Sequence, residues 1–156
     1  MLGVLPLLIR KWVRGGKLRI VYRAHQEETV WPEIYDNQEV AALAAGEQGK
    51  AWQYFDIFYH HQGPEFTRYA IDHFLQAIAR EAPGLDFARW TADRHDPRLT
   101  RQVKRDGQMA KVRRIYFTPA FLIGPTGGHA MPLLHFTFTE TPAFDEAIER
   151  LLRNSA

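Results

Sequence analysis

The length, composition and charge of the chain limit the classes of protein to which it can belong. Its 156 residues fit one domain, and the 46% that are apolar suffice to bury a substantial core. Lys and Arg are interleaved with Asp and Glu and the net charge is only +2, so we expect no nucleic-acid partner. No apolar run approaches the roughly 18 residues of a membrane span. Cysteine is absent, which excludes disulfides, thiolate metal sites and a cysteine nucleophile within these residues.

The N-terminal segment has the pattern of a helix followed by a strand. Apolar residues at helical spacing predict a helix over 2–13, and Gly15-Gly16 favours its end there. β-Branched and aromatic residues then alternate with others, which predicts a strand over about 17–23. No polar N-cap residue precedes the helix, so we expect it to be the end of a longer element that begins upstream.

The middle of the chain, about residues 36–114, is predicted to be a helical block. Asn37 is expected to cap the first helix of the block, and two further helices are predicted over about 50–60 and 65–81. Asp86 is expected to cap a fourth, short helix, and Pro97 to begin the fifth. The apolar spacing predicts two buried faces. The helix over about 50–60 should bury the aromatic stripe Trp52, Phe55, Phe58 and Tyr59. The helix that begins at Pro97 should bury the side that carries Leu99, Val103, Ala110 and Val112.

The stretch 117–124 has the pattern of a short buried strand that begins at a proline. Proline has no N–H group, so Pro119 fits the first position of a strand better than its middle. The Thr118–Pro119 bond is also a place where a cis peptide is cheap, at about 0.5–1 kcal/mol relative to trans. We therefore predict a strand over about 119–124.

The end of the chain is predicted to complete a hairpin and to add a helix. Gly127-Gly128 favours a turn between antiparallel neighbours, and an apolar run predicts the second strand over 133–138. Thr141 is expected to cap a final helix over 142–153.

Together these segments resemble the DsbA-like thioredoxin-fold family, the thiol-disulfide oxidoreductases. Residues 5–23 resemble the end of that family's active-site helix and its next strand, residues 41–52 the start of its helical insertion, and residues 118–124 its cis-proline strand. The resemblance implies an α/β fold, a single thioredoxin-like domain over 1–156 with a helical insertion at about 36–114. It also implies protein thiols or disulfides as substrates, no bound cofactor, and an extracytoplasmic bacterial setting, periplasmic or at the cell surface.

The chain departs from the family pattern at the catalytic centre. In the family a Cys-x-x-Cys stands at the N-terminus of the first helix and follows the first strand; by analogy both would precede Met1. The nucleophile is a thiolate, and no side chain of this chain replaces it. We therefore expect an N-terminally truncated oxidoreductase domain that lacks the first strand and is inactive as given. The alternative is a cysteine-free thioredoxin-like protein that binds peptides or partner subunits without redox activity.

Phe117, Thr118 and Pro119 are the predicted substrate-binding residues. The resemblance implies that the main chain before the proline pairs with a bound peptide, as an added strand does. The alternative is a turn that only sets the geometry of the strand. The missing first strand would lie between the strands at 17–23 and 119–124. Its absence leaves three alternatives: the two strands pair directly, a partner chain fills the gap, or the sheet edges stay exposed, where a homodimer could form.

The other chemistry-bearing residues are predicted to be structural. His60 and His61 are adjacent, so on a helix they point about 100° apart and cannot share one metal; we predict no metal site. The glycine-rich stretch 124–128 leads into a strand and not a helix, which favours a hairpin turn over a phosphate loop. Solvated surface is expected for the basic face Arg98, Arg101, Lys104, Arg105 and Lys111.

Overall fold

Residues 3–25, 31–64 and 67–154 are described by the computed structural model. Contacts within the chain divide it into unit 1, which consists of Met1–Tyr22 and Phe117–Ala156, and unit 2, Arg23–Tyr116. In chain order the elements are α1 Leu5–Leu8, continued by a π-helical segment Ile9–Val13, α2 Pro32–Gly46, α3 Ala51–His60, α4 Asp72–Glu81, α5 Phe87–Asp93, α6 Pro97–Val112, β1 Leu122–Ile123, β2 Met131–Pro132 and α7 Pro142–Arg153.

Unit 2 is built around buried aromatic rings that reach the backbone of neighbouring helices. Trp90 of α5 is fully buried, and its Nε1–H donates to the carbonyl of Ala41 in α2 at 2.8 Å. Tyr54 of α3 is also fully buried, and its hydroxyl donates to the carbonyl of Leu75 in α4 at 3.3 Å. A buried Trp N–H or Tyr O–H needs such a partner, so these two bonds fix which helix faces meet.

Arg94, the residue after α5, links three helices of unit 2. Its guanidinium lies 2.6 Å from the Asp72 carboxylate of α4, and its Nη2 donates to the Asn37 side chain of α2 at 2.5 Å. The same group stacks 4.8 Å from the centre of the Trp90 ring. A planar guanidinium can satisfy all these contacts at once, which a lysine could not do.

The local signals for helix ends in unit 2 predicted most of its boundaries. The Asp86 side chain accepts from the Arg89 N–H, which confirms it as a cap, and α6 begins at Pro97 as predicted. The prediction for Asn37 was wrong, because α2 begins at Pro32. Proline fits the first turn of a helix, since its fixed φ is helical and its missing N–H has no helical partner there.

Two predictions about buried faces and one about a helix boundary were too broad. Val112 is 74% exposed and Trp52 is 41% exposed, whereas Phe55 and Phe58 are buried as expected. Val112 lies about 160° around α6 from Ala110, so it points away from the buried face. The helix predicted over about 65–81 begins at Asp72; residues 65–66 lie outside the described ranges.

In unit 1 the predicted first helix is present from Leu5, with its last turn as the π-helical segment; Met1 and Leu2 lie outside the described residues. Trp12 is buried on this helix. Gly16 adopts a φ of 68°, and its N–H donates to the Val13 carbonyl. This left-handed glycine ends the helix as predicted.

The strand predicted over about 17–23 is not formed, so that prediction was wrong. Leu18 and Ile20 are half-buried against the core and Arg19 and Val21 are exposed, which is the alternation from which the strand was inferred. In the described part of the chain, however, the sheet consists of β1 and β2 only. Alternation therefore reports which face is buried, but a strand also needs a neighbouring main chain to pair with.

The predicted antiparallel hairpin is confirmed, with shorter and shifted strands. Ile123 pairs with Met131, and Gly127 adopts the positive φ of 78° that the turn requires. The second strand was wrongly placed at 133–138; β2 lies just before it. In 133–138, His135 has a φ of 56°, which no strand residue adopts.

Helix α7 has the predicted bounds and supplies two of the five buried residues in the core cluster of unit 1. Phe144 and Ile148 are buried in one cluster with Leu8 and Trp12. Thr141 precedes the helix as expected but does not cap it through its side chain, because its hydroxyl donates to a carboxylate one turn later. The thioredoxin-like α/β fold stays a prediction, since the described sheet has two strands.

We expect Trp90→Ala to destabilise the protein far more than Trp52→Ala. The first substitution removes a fully buried indole and leaves a cavity, at a cost of about 3–5 kcal/mol. The second truncates a partly exposed indole of the same size and should cost about 1 kcal/mol or less. Urea unfolding of both variants measures the difference. Equal costs would mean that the burial of Trp90 does not hold unit 2 together.

Candidate functional site

The predicted site residues Phe117, Thr118 and Pro119 lie together at the surface of unit 1. The Thr118–Pro119 peptide bond is cis. Phe117 is 60% exposed, Thr118 is exposed, and Pro119 is half-buried. The segment therefore presents two adjacent exposed residues, one of them aromatic, to solvent.

The main chain of Phe117 and Thr118 has no hydrogen-bond partner among the described residues. Pairing begins at Phe121, whose carbonyl accepts from the Leu133 N–H at 2.8 Å, and continues into β1. Exposed groups of this kind are hydrated, so they carry no burial penalty. Directly before a strand, they also offer a template on which another extended chain can pair.

The residues just after the site are anchored by a cluster of three aromatic rings. The ring of Phe121 lies edge-on to the rings of Phe136 and Phe144, at 5.0 Å between centroids in both cases. Phe136 and Phe144 are themselves 5.8 Å apart. Edge-to-face pairs of this spacing are favourable beyond their apolar burial. Phe121 is thus fixed in the core of unit 1, while Phe117, four residues earlier, remains at the surface.

Sequence reasoning missed two exposed apolar residues of unit 1, Leu134 and Phe138. A strand over 133–138 would have placed alternate side chains on one face. Because His135 has a positive φ, Leu133 and Phe136 both pack on the core instead, and Leu134 and Phe138 are more than half exposed. The sequence gives no clear signal for a left-handed residue at a histidine.

A carboxylate network that the sequence did not reveal joins the two ends of unit 1. Asp145 accepts from Trp12 Nε1–H at 2.5 Å through Oδ1. Its Oδ2 accepts from the Thr141 hydroxyl at 2.7 Å and lies 2.9 Å from Lys11 Nζ. No spacing rule connects residues 133 positions apart. The network fixes the start of α7 against the π-helical segment.

The network also changes the acidity of its carboxylate. Desolvation alone would raise the pKa of Asp145, but the hydrogen bonds from Lys11, Trp12 and Thr141, together with the charge of Lys11, act in the opposite direction and prevail. The pKa of Asp145 therefore lies below its usual range.

Neither a metal site nor a membrane-spanning helix is evident in the residues that the structure describes. No group of three or more His, Asp or Glu side chains in these ranges is arranged to hold a metal ion. His61, which was considered as a ligand, instead lies with Nε2 3.1 Å from a Glu81 carboxylate oxygen. Within the same ranges, no helix is both long and apolar enough to cross a bilayer.

Comparison with protein-family models, with curated proteins and with solved structures finds no match to this chain. The DsbA-like resemblance therefore depends on the quoted residues alone, and the family stays a prediction.

We expect Asp145→Asn to remove a pH-dependent part of the stability. Since the folded state lowers the pKa of Asp145, its contribution is fully present above the unfolded pKa of about 3.9 and is lost as the pH falls through the folded value. Near neutral pH the substitution should cost about 1–3 kcal/mol, as expected for hydrogen bonds to a charged group.

Urea unfolding of the wild type and the variant from neutral pH to about pH 3 measures this difference. Glu149→Gln is the matched control, because Glu149 is an exposed carboxylate on the same helix. A difference between wild type and Asp145→Asn that stays constant down to acid pH would show that the charge of Asp145 is not stabilising.

Proposed function

We propose that this chain binds an extended peptide along the main chain of Phe117 and Thr118, as the peptide-binding part of a DsbA-like thioredoxin-fold domain. The observation that carries the proposal is the main chain of these two exposed residues, which has no hydrogen-bond partner in the described structure and lies a few residues before β1. The resemblance of residues 118–124 to the cis-proline strand of that family supports the same location.

Binding would proceed by strand addition. Phe117 and Thr118 each supply one N–H donor and one carbonyl acceptor, whereas Pro119 supplies only a carbonyl. The pairing therefore ends at the proline. The Phe117 ring adds an apolar contact beside the paired main chain, because more than half of it is accessible. Main-chain pairing does not read side chains, so the site would accept many sequences in an extended conformation.

The redox part of the proposal depends on a dithiol. In thiol-disulfide exchange a thiolate attacks one sulfur of a disulfide, a mixed disulfide forms, and the other sulfur leaves as a thiolate. The 156 residues contain no cysteine, so none of them can perform either step. Their proposed part in the reaction is to hold the disulfide-bearing segment of the substrate protein in an extended conformation.

A second candidate function is peptide binding without redox chemistry, which the absence of cysteine favours. In this case the same main chain would hold a peptide or a partner subunit, and an unpaired strand edge would also allow a second copy of the chain to bind.

We expect Phe117→Ala to weaken binding of a fluorescein-labelled, S-alkylated insulin B chain by about three- to tenfold, which is the effect of losing part of an exposed aromatic contact. Fluorescence anisotropy measures the affinity. The matched control is Phe138→Ala, because Phe138 is a similarly exposed phenylalanine (55%) at the edge of the aromatic cluster, where its ring contacts Phe136. It should change the affinity less than about twofold.

A second probe tests the strand pairing itself. The same peptide with N-methyl groups on consecutive backbone amides should bind more weakly, because neither of its edges then offers N–H donors. Equal effects of Phe117→Ala and Phe138→Ala, or equal binding of the methylated peptide, would contradict strand addition at this site.

The redox candidate makes a separate prediction about the protein in its own cell. Its intact mass and N-terminal peptide should show a Cys-x-x-Cys upstream of the helix that contains Trp12, and that protein should reduce insulin disulfides. The 156-residue chain itself should show no thiol-dependent turnover, since it has no thiol. A native polypeptide without the dithiol would eliminate the redox candidate and leave peptide binding untouched.

A further inference from the structure

Helix α6 exposes a row of cations on one face. Residues along a helix are about 100° apart, so four cations of α6 fall within an arc of about 120°. All four side chains are exposed. We call them the cationic stripe: Arg101, Lys104, Arg105 and Lys111. The opposite face is buried through Leu99, Val103, Asp106 and Ala110, so the stripe is the side of α6 that faces solvent.

The four cations of the stripe are not held in ion pairs within the described structure, although Arg101 interacts electrostatically with the Asp96 carboxylate. None of its four side chains forms an ion pair or hydrogen bond with any residue in the described ranges. Arg98, one turn earlier, is different because it pairs with Asp96 at 2.6 Å and Glu47 at 3.6 Å. The one acidic residue of α6, Asp106, is buried and directed towards Arg23 and the Ala24 N–H.

We propose that the cationic stripe is a docking surface for a membrane that contains anionic phospholipids. Four Lys/Arg on one helix face is the number at which such surfaces begin to bind acidic lipids. A convex helix face suits a planar partner better than a peptide, because it offers neither a strand edge nor a groove in which a peptide could bind. Val112 lies in the same arc and is 74% exposed, and Tyr116, which follows the helix, is 75% exposed. An aliphatic and an aromatic group beside cations match the lipid headgroup region.

The same observations favour lipid over nucleic acid. Val112 in the arc is an exposed aliphatic group, and such a group contributes nothing to the phosphate contacts that dominate affinity for nucleic acid. Four cations are also few beside the roughly six to ten phosphate contacts of a typical DNA complex. Because the other face of α6 is packed inside unit 2, the helix would lie on the membrane surface and not enter it.

Co-sedimentation with vesicles tests this proposal on the full chain. We expect binding to vesicles of phosphatidylcholine with phosphatidylglycerol, no binding to phosphatidylcholine alone, and weaker binding as salt is added. The stripe variant changes its four cations to glutamine and should bind at least about tenfold more weakly. Circular dichroism should show unchanged helix content, since all four side chains are exposed.

The matched control removes the same charge from exposed positions of unit 1 that form no ion pair with any described residue: Arg10→Gln, Arg14→Gln, Lys17→Gln and Arg19→Gln. It should reduce vesicle binding less than about threefold. Equal losses in the two variants would show that net charge, and not the stripe, governs binding.

No vesicle binding, or tighter binding to a short DNA duplex than to vesicles at equal salt, would overturn the proposal. The stripe variant should bind the labelled insulin B chain with unchanged affinity, so this test and the peptide-binding test fail independently.

Discussion

The structure of unit 1 depends on one side chain, Trp12, that interacts in two ways. Its ring is buried with Phe144 and Ile148, and its Nε1–H donates to the carboxylate of Asp145. The apolar contact holds α7 against the first helix, and the polar contact sets where along that helix α7 begins. The hairpin that carries the candidate site packs on the same core through Phe121, so the position of the site follows from this arrangement.

The candidate site combines an anchored end with an accessible end. Phe121 is held by the aromatic cluster, whereas Phe117 and the main chain beside it are open to solvent. A strand that is already ordered at one end loses little conformational entropy when a peptide pairs with the adjoining residues. This is the physical advantage of placing a binding segment directly before a packed strand, and it holds for both candidate functions.

The local distribution of charged residues is more informative for this chain than its net charge. A net charge of +2 led us to expect no nucleic-acid partner, yet residues 101–114 contain six Lys/Arg and one buried Asp. Screening limits the reach of each charge to about 8 Å at physiological salt, so a local cluster acts largely independently of distant acidic residues. The cationic stripe is therefore a property of the surface of α6 and not of the chain average.

The sequence alone determined the features that depend on residues close together along the chain. The bounds of α3 and α7, the cap at Asp86 and the turn at Gly127 follow from local spacing, capping and glycine chemistry. Tertiary structure decided the rest: whether 17–23 found a strand to pair with, and which side chain reached Asp145 from 133 positions away. Tertiary structure also decided whether Phe117 is buried or exposed. These features depend on contacts between distant segments, which periodicity along the chain does not encode.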